Sequence, residues 1–569
     1  MVSWIHVVAW FVVYSVVAVA ISRKVDSERV EISGPFLTIY SQKGLAFIDS
    51  LAKKYPKFWR VWGNMGALAA LLAALMGLYF ILTSVIALFQ QPELVGLEGP
   101  TDALVIPGVN RFIPLSAAPE LVFALVLGII IHEGGHAIFC RTGDISIEST
   151  GVFLAALIPL GAFVEPDEEG QFNAEVPDQL RMYAAGIMNN FVAAIICVLL
   201  IFTITSTLIS PAVGLGIQSV FDNSPAEKAG IESGDIITAV NGQQISDTQE
   251  FTEFANENKV DTVEINGEEE VNIGKGAFLS SVPDSSKLSS GQTVTGVDGT
   301  DISGRQAFYD ELRNTESNYA TVTTSGGNEV QIPVGAYVAA NQSEGLASEM
   351  GLDRGETTYI FSVDGQRVYN SESLQNMLNS SSDLTVTYGS DGNAKTIKNN
   401  SSGDIPSYLV VSNDVSGITS SVLGVNTYPA ESFYSILTFG DSIIETLQNA
   451  FLMMFLPIGE ITFASQTSFA GFTSFAQNFF TVASGGSIAG WLIFNSIGLL
   501  FWTAWLNFNL GLFNCLPTAL LDGGHILRAS SQYLLEDSIG ENNVNYVVRG
   551  IQLIVGLCIL LVFFYPLVL

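Results

Sequence analysis

The sequence predicts a polytopic α-helical membrane protein of about six transmembrane helices, interrupted by an extracytoplasmic insert of small α+β modules. Three observations predict it. Apolar residues make up 48% of the 569 residues, and the mean hydropathy of +0.39 is too high for soluble domains alone. The excess sits in separate runs near the length of about 20 residues that a helix needs to cross the hydrocarbon core. Between the fourth and fifth runs lies a long stretch of different material, rich in Ser, Gly, Asn and Asp, with no spanning run.

The spans are predicted at 4–21, 65–89, 121–139, 183–208, 491–512 and 551–567. The first lacks a basic leader and a small-residue cleavage site, so it reads as an anchor and not a signal peptide. The segment after it carries Arg23, Lys24, Arg29, Lys43, Lys53, Lys54, Lys57 and Arg60, the densest basic stretch of the chain. By the positive-inside rule that segment is cytoplasmic. The loop 90–120 has a single basic residue, Arg111, and faces outward. The third span then runs inward to Arg141, and the fourth runs outward from Arg181. The chain divides into an N-terminal membrane domain (1–209), the extracytoplasmic insert (210–429) and a C-terminal membrane domain (430–569). Such a chain is a multi-pass protein of the cell membrane.

Charge narrows the partners. There are 23 basic against 55 acidic residues, a net charge of -32. Nucleic acid is not an expected partner, because phosphate binding needs basic patches. An acidic, lysine-poor surface fits a halophilic protein, since salt screens the self-repulsion that this charge creates. The four cysteines, Cys140, Cys197, Cys515 and Cys558, lie in or beside apolar runs and form no CxxC pair. They indicate neither a disulfide framework nor a cysteine metal site.

The insert contains an internal repeat. The first copy, 224–245, reads SPAEKAGIESGDIITAVNGQQI. The second has Gly291 and Asp298-Gly299 at the spacing of Gly234 and Asn241-Gly242, and the third is GLDRGETTYIFSVDGQRV, 351–368. In each a short strand ends in an NG or DG turn, and a helix is predicted next, at 248–256, 305–312 and 371–378. The repeats resemble PDZ domains. Gly214-Leu215-Gly216-Ile217 resembles the carboxylate-binding loop, and Pro225, Ala229-Gly230 and Gly234-Asp235 complete the pattern. The resemblance implies two or three modules that bind peptide termini by adding them as a strand to a sheet edge. For the later copies the rival reading is a β-rich spacer without a ligand. Beyond the insert, the apolar segment 436–458 carries Asp441, Glu445 and Asn449, which are expensive in lipid, so it reads as interfacial or partly inserted.

The chemistry concentrates in Ile131-His132-Glu133-Gly134-Gly135-His136. Helical residues four apart share a face, so two neutral imidazoles there can hold one zinc ion while the Glu between them reaches a metal-bound water. Zinc brings the pKa of such a water to roughly 7, and Glu133 is placed to accept its proton and pass it to the leaving amine. The motif sits at the inner end of a predicted span, where ionisable residues mark function. Gly134 and Gly135 disfavour the helix and leave room for a close neighbour or a substrate backbone.

Catalytic zinc usually has three protein ligands and an open position. Asn514-Cys515-Leu516-Pro517-Thr518-Ala519-Leu520-Leu521-Asp522-Gly523-Gly524-His525 closes the fifth span. Pro517 interrupts a helix there. Asp522 lies at the depth and on the side of His132 and His136 and is the economical third ligand. His525 competes for that role.

These three elements, HExxH in one span, an extracytoplasmic PDZ-like insert and an NxxPxxxLDG-like segment in a later span, resemble the site-2 protease family in the right order over most of the chain. The resemblance implies that His132, His136 and Asp522 bind Zn2+ and that Glu133 is the catalytic base. It also points to Gly186 and Asn190, a GxxxN pattern on the fourth span with Ile187 where the family usually has proline. Asn190 would hold a substrate carbonyl or the oxyanion, or else Gly186 and Asn190 serve helix packing. Asn514 is a further substrate contact. The apolar stretch 151–166 is implied to be a re-entrant strand or hairpin whose edge pairs with an unwound substrate; a packed cytoplasmic loop is the rival. The implied activity is intramembrane proteolysis of membrane-anchored protein substrates, with zinc near the cytoplasmic side. The alternative is a catalytically silent membrane receptor that binds peptides through its PDZ-like modules.

Overall fold

The computed structural model describes residues 30–33, 36–41, 45–90, 105–155, 158–284, 286–342, 345–378, 384–390, 394–399, 409–458, 469–483 and 487–564, with isolated positions between 12 and 20. The chain forms two compact units. The first comprises Met1–Ser210, Ser432–Gln477 and Val482–Leu569, and the second Pro211–Glu431 with Asn478–Thr481.

In the first unit, among the described residues, five helices are long and apolar enough to cross a membrane. They are α1 (Pro56–Gln90), α2 (Ala118–Thr142), α3 (Val176–Leu208), α4 (Ser487–Asn514) and α6 (Glu541–Phe564). The shortest has 24 residues, about 36 Å at 1.5 Å per residue, enough for a core of about 30 Å. Leu68, Leu71, Leu72 and Leu75 of α1 are each more than half exposed, an outward apolar face that water would not tolerate and lipid does. The span predicted at 4–21 lies outside the described residues apart from isolated positions. The more polar α5 (Asp522–Ile539) follows α4. Helix α3 is the centre of the bundle and packs against α1, α2, α4 and α5. Small residues allow these approaches: a Cβ on Gly66 would press on Met188, and one on Gly135 would run into Ala185 and Asn189.

The first unit also holds a four-stranded antiparallel sheet, β1 (Val30–Ser33), β2 (Phe36–Ser41), β3 (Ile147–Ala155) and β4 (Ile158–Pro166), in that order. The stretch predicted as a hairpin is β3–β4, and β1–β2 extends it. Across β3 and β4, Gly151 faces Phe163, whose ring fills the space that a Cβ at 151 would need. Phe36 stacks on Phe153 at 5.2 Å, and Tyr40 meets Phe163 edge-on at 5.5 Å. The longest helix of the segment 436–458 is Ile443–Met453, 11 residues or about 16 Å, too short to cross.

The second unit consists of three modules with one topology. Their leading strands are β5 (Leu215–Val220), β6 (Ala277–Ser281) and β7 (Ala336–Ala340). In the first module the order is Glu269–Asn272, Thr262–Ile265, Ile236–Val240, then β5, and the other two repeat it. The turns after the second strands are Asn241-Gly242, Asp298-Gly299 and Asp364-Gly365, every residue at positive φ. That is the type I′ hairpin geometry for which NG and DG are suited. The following helices are Thr248–Glu257, Arg305–Asn314 and Ser371–Leu378. The first starts on Asp247, whose carboxylate accepts the Glu250 N–H and so caps one orphan donor.

The outer edge of each leading strand is paired. Three short strands near the end of the unit, β8 (Leu409–Val411), β9 (Thr419–Ser421) and β10 (Val425–Thr427), add antiparallel to β7, β6 and β5 respectively. This corrects the expectation of an open edge beside Gly214-Leu215-Gly216-Ile217: Thr427 opposes Ile217, and the Tyr428 N–H bonds the Gly216 carbonyl at 2.9 Å. The same segment fills the cores. Leu409 belongs to the third module's core, Val415 and Ile418 to the second's and Leu423 to the first's. Each such burial stabilises by roughly 1.5–3 kcal/mol.

Candidate active site

Helix α2 presents His132 and His136 on one face, with ring centroids 4.8 Å apart and planes at 79°. The chain brings Asp522 to them by ending α4 at Asn514, turning through Pro517 and starting α5 at Asp522. The turn is tight: a Cβ on Gly523 or Gly524 would overlap the carbonyl oxygens of Cys515 and Thr518, which explains two consecutive glycines after the aspartate. A carboxylate in a helix's first turn also suits the unpaired N–H groups there. Asp522 Oδ2 lies 3.0 Å from His132 Nε2 and 3.4 Å from His136 Nε2. The three ligand atoms all fall within 4.8 Å of one another.

Both imidazoles are anchored through their other nitrogen on α3. His136 Nδ1 is 2.8 Å from the Met182 carbonyl oxygen. A carbonyl only accepts, so Nδ1 carries the proton and, in the neutral ring, Nε2 keeps its lone pair. His132 Nδ1 is 3.2 Å from the carboxamide nitrogen of the fully buried Asn190, whose oxygen has no hydrogen-bond partner. Turning that amide over, an assignment that heavy atoms alone do not fix, lets Oδ1 accept Nδ1–H and gives His132 the same tautomer. Gly186 lies against the same ring, and a Cβ on it would penetrate the imidazole. The structure thus places Gly186 and Asn190 around His132. Of the two readings of Asn190, substrate contact or packing with a polar contact, the contact observed is the one with the histidine.

With both histidines in this tautomer, two Nε2 lone pairs and Asp522 Oδ2 converge, and Oδ2 is buried without a hydrogen-bond donor. Three acceptors facing one point repel one another unless a cation lies between them. Two imidazoles and a carboxylate are a donor set that suits zinc, and His132, His136 and Asp522 therefore fit the metal.

Glu133, next to His132, points towards the sheet. Its Oε2 accepts the Val164 N–H of β4 at 3.0 Å. Strand β4 is an edge of its sheet. A cavity of about 1130 Å³ opens beside it, lined by Phe163, Val164 and Glu165 on one side and His525 and Arg528 of α5 on another. His525, the competing ligand, stacks on Tyr183 at 5.0 Å and 14° and stands outside the three-residue cluster. Asn514 is the half-buried last residue of α4. Gly134 has open space where its Cβ would be.

Two participants were not legible in the sequence. Met182 acts through a backbone carbonyl, which no side-chain pattern reveals. Asn189 ties three helices: its oxygen accepts Trp62 Nε1–H at 3.0 Å, and its nitrogen donates to the Ile131 carbonyl at 3.4 Å. The adjacent asparagines at 189 and 190 were the available signal.

Fold and site together define a multi-pass membrane protein with a largely buried His-His-Asp cluster and a glutamate one residue from the first histidine. Residues 120–562 match the model of peptidase family M50, and the chain belongs to that family. It is 27% identical over 271 residues to an uncharacterised protein of Methanocaldococcus jannaschii, a match covering 47% of this chain and 66% of the relative. It is 28% identical over 146 residues to a membrane-bound transcription factor site-2 protease homolog of Arabidopsis thaliana, covering 25% and 28%. To the zinc metalloprotease RasP of Shouchella clausii it is 30% identical over 126 residues, covering 21% and 28%. In each case less than two thirds of the relative is spanned.

Proposed function

We propose that this chain is a zinc metalloendopeptidase that cleaves transmembrane segments of membrane-anchored proteins. The observation that carries the reading is the convergence of His132 Nε2, His136 Nε2 and Asp522 Oδ2 on one largely buried point, with Glu133 beside it on the helix of the two histidines. Membership of a peptidase family supports it, as do the relatives described as a site-2 protease homolog and a zinc metalloprotease. In this reading His132, His136 and Asp522 hold Zn2+. When bound, the metal polarises the scissile carbonyl and lets a water lose its proton near neutral pH.

The chain's own residues supply the rest. Glu133 takes a proton at its carboxylate and returns it to the leaving nitrogen, and the Val164 N–H orients that carboxylate. A helical substrate keeps its peptide groups internally bonded and must unwind to be cut. Strand β4, at the edge of its sheet, is placed to offer backbone groups to an unwound stretch, and the cavity beside it provides room. Met182 and Asn190 hold the histidines in one orientation. The positive-inside reading sets the site near the cytoplasmic face and the three modules, read as PDZ-like, outside.

The test is a membrane-anchored reporter cleaved by the full chain in liposomes. Wild type is expected to cut within the reporter's transmembrane segment. Glu133→Gln is expected to retain zinc and lose at least about 100-fold in rate. Full cleavage by Glu133→Gln would sink the proposal.

A further inference from the structure

We propose that residues 409–427 are a built-in strand ligand: one strap closes the peptide-accepting edges of all three modules, so the insert captures no peptide terminus by strand addition. The inference rests on reading the modules as PDZ-like, and on nothing about catalysis.

The three edges are equivalent. Each leading strand is preceded by a glycine, Gly214, Gly276 or Gly335, and a Cβ on any of them would strike a backbone carbonyl of the neighbouring strand, at Ile237, Val294 and Ile360 respectively. The strand after that glycine is where an added peptide would lie. At all three positions the strap lies there instead. Val411 opposes Val338, Ser420 opposes Leu279 and Asn426 opposes Ser219.

The strap is shaped for this path. Between β8 and β9 it passes Ser416 and Gly417, at φ 57° and 69°, and between β9 and β10 it passes Gly424, at φ 70°. A left-handed kink thus stands at each crossing from one module to the next. At the first crossing Ser416 is fully buried, and its Oγ accepts the Gly335 N–H at 3.3 Å. At the second, a Cβ on Gly424 would meet both Ser224 of the first module and Phe278 of the second.

The strap is also clamped. The buried Tyr309 hydroxyl donates to the Ile418 carbonyl at 3.0 Å and accepts the Ser420 N–H at 3.0 Å. The Ala226 N–H bonds the Leu423 carbonyl, and the Phe221 N–H bonds the Gly424 carbonyl, both at 3.0 Å. Leu409, Ile418 and Leu423 sit in three different cores with at most 2% exposure. A competing peptide would have to empty a core position as well as break a ladder, so the strap is a permanent occupant.

The experiment uses the full chain in detergent at high salt, carrying Ser219→Cys and Asn426→Cys on facing strands. Oxidation is expected to close an intramolecular disulfide in most molecules, seen as a reversible gel shift. A fluorescein-labelled peptide of the strap sequence, SVLGVNTY, is expected to show no saturable anisotropy change with the reduced or the oxidised protein. Failure to cross-link would overturn the proposal. So would binding to the reduced form that oxidation weakens tenfold or more, because the edge would then be exchangeable. Hydrogen exchange on the unmodified chain guards against misfolding of the variant: Ile217–Val220 amides are expected to be as protected as those of Ile236–Val240, and rapid exchange would overturn the inference. Cleavage is not a readout, so loss of the protease reading would appear in the reporter assay and leave this result standing.

Discussion

Gly186 and His132 occupy one space: the ring of the histidine lies where a side chain at 186 would begin. Gly186→Ala therefore displaces His132 from the point it shares with His136 and Asp522. Zinc affinity is expected to fall about 10- to 100-fold, as when a group that orients a metal ligand is lost. Chelator competition measures it, and unchanged affinity would show that the ring has room to shift.

Asn190 acts on the same histidine through a hydrogen bond instead of shape. Asn190→Ala is expected to weaken zinc by about 10-fold, while Asn190→Asp, which keeps an acceptor for Nδ1–H, retains more of it. Cleavage lost with zinc binding intact would return Asn190 to the substrate side of the site.

Asp522 is the one acceptor of the cluster that comes from α5. The wild type is expected to carry about one zinc per chain and Asp522→Ala far less, by elemental analysis of protein purified at high salt. An equal zinc content in the variant would shift attention to another ligand, His525 first.

The net charge of -32 makes self-repulsion a general destabilising force. The unfolding temperature of the full chain is expected to rise with sodium chloride up to about 1 M, where the screening length is about 3 Å. A flat response would argue against adaptation to salt.

The sequence was most informative where periodicity and turn chemistry act locally. Five spans, the three helices after the NG and DG turns and the hairpin around Gly151 were all legible, because each is set by residues close together in the chain. The facing of His132, His136 and Asp522 was readable from helix spacing plus membrane depth. What was not legible depends on contacts distant in sequence. Nothing near Val30 announces that β1 and β2 extend the hairpin at 147–166. Nothing in the 409–427 stretch marks it as the missing edge of three sheets, since three-residue strands carry no usable alternation. The burial of Asn190 against His132 likewise depends on packing, which no single residue type reveals.

The strap meets the modules in reverse order, so the contacts are nested: β8 closes the nearest module and β10 the farthest. Val220 finds its partner only at Val425. During synthesis the first module to emerge is thus the last to be completed, and it waits with an unpaired edge strand until the two behind it have been made. Nested long-range pairing of this kind is slow and leaves partly built sheets open to wrong partners. Maturation of the insert is consequently tied to the arrival of its final twenty or so residues, and a chain truncated just before residue 409 would leave three unfinished sheets.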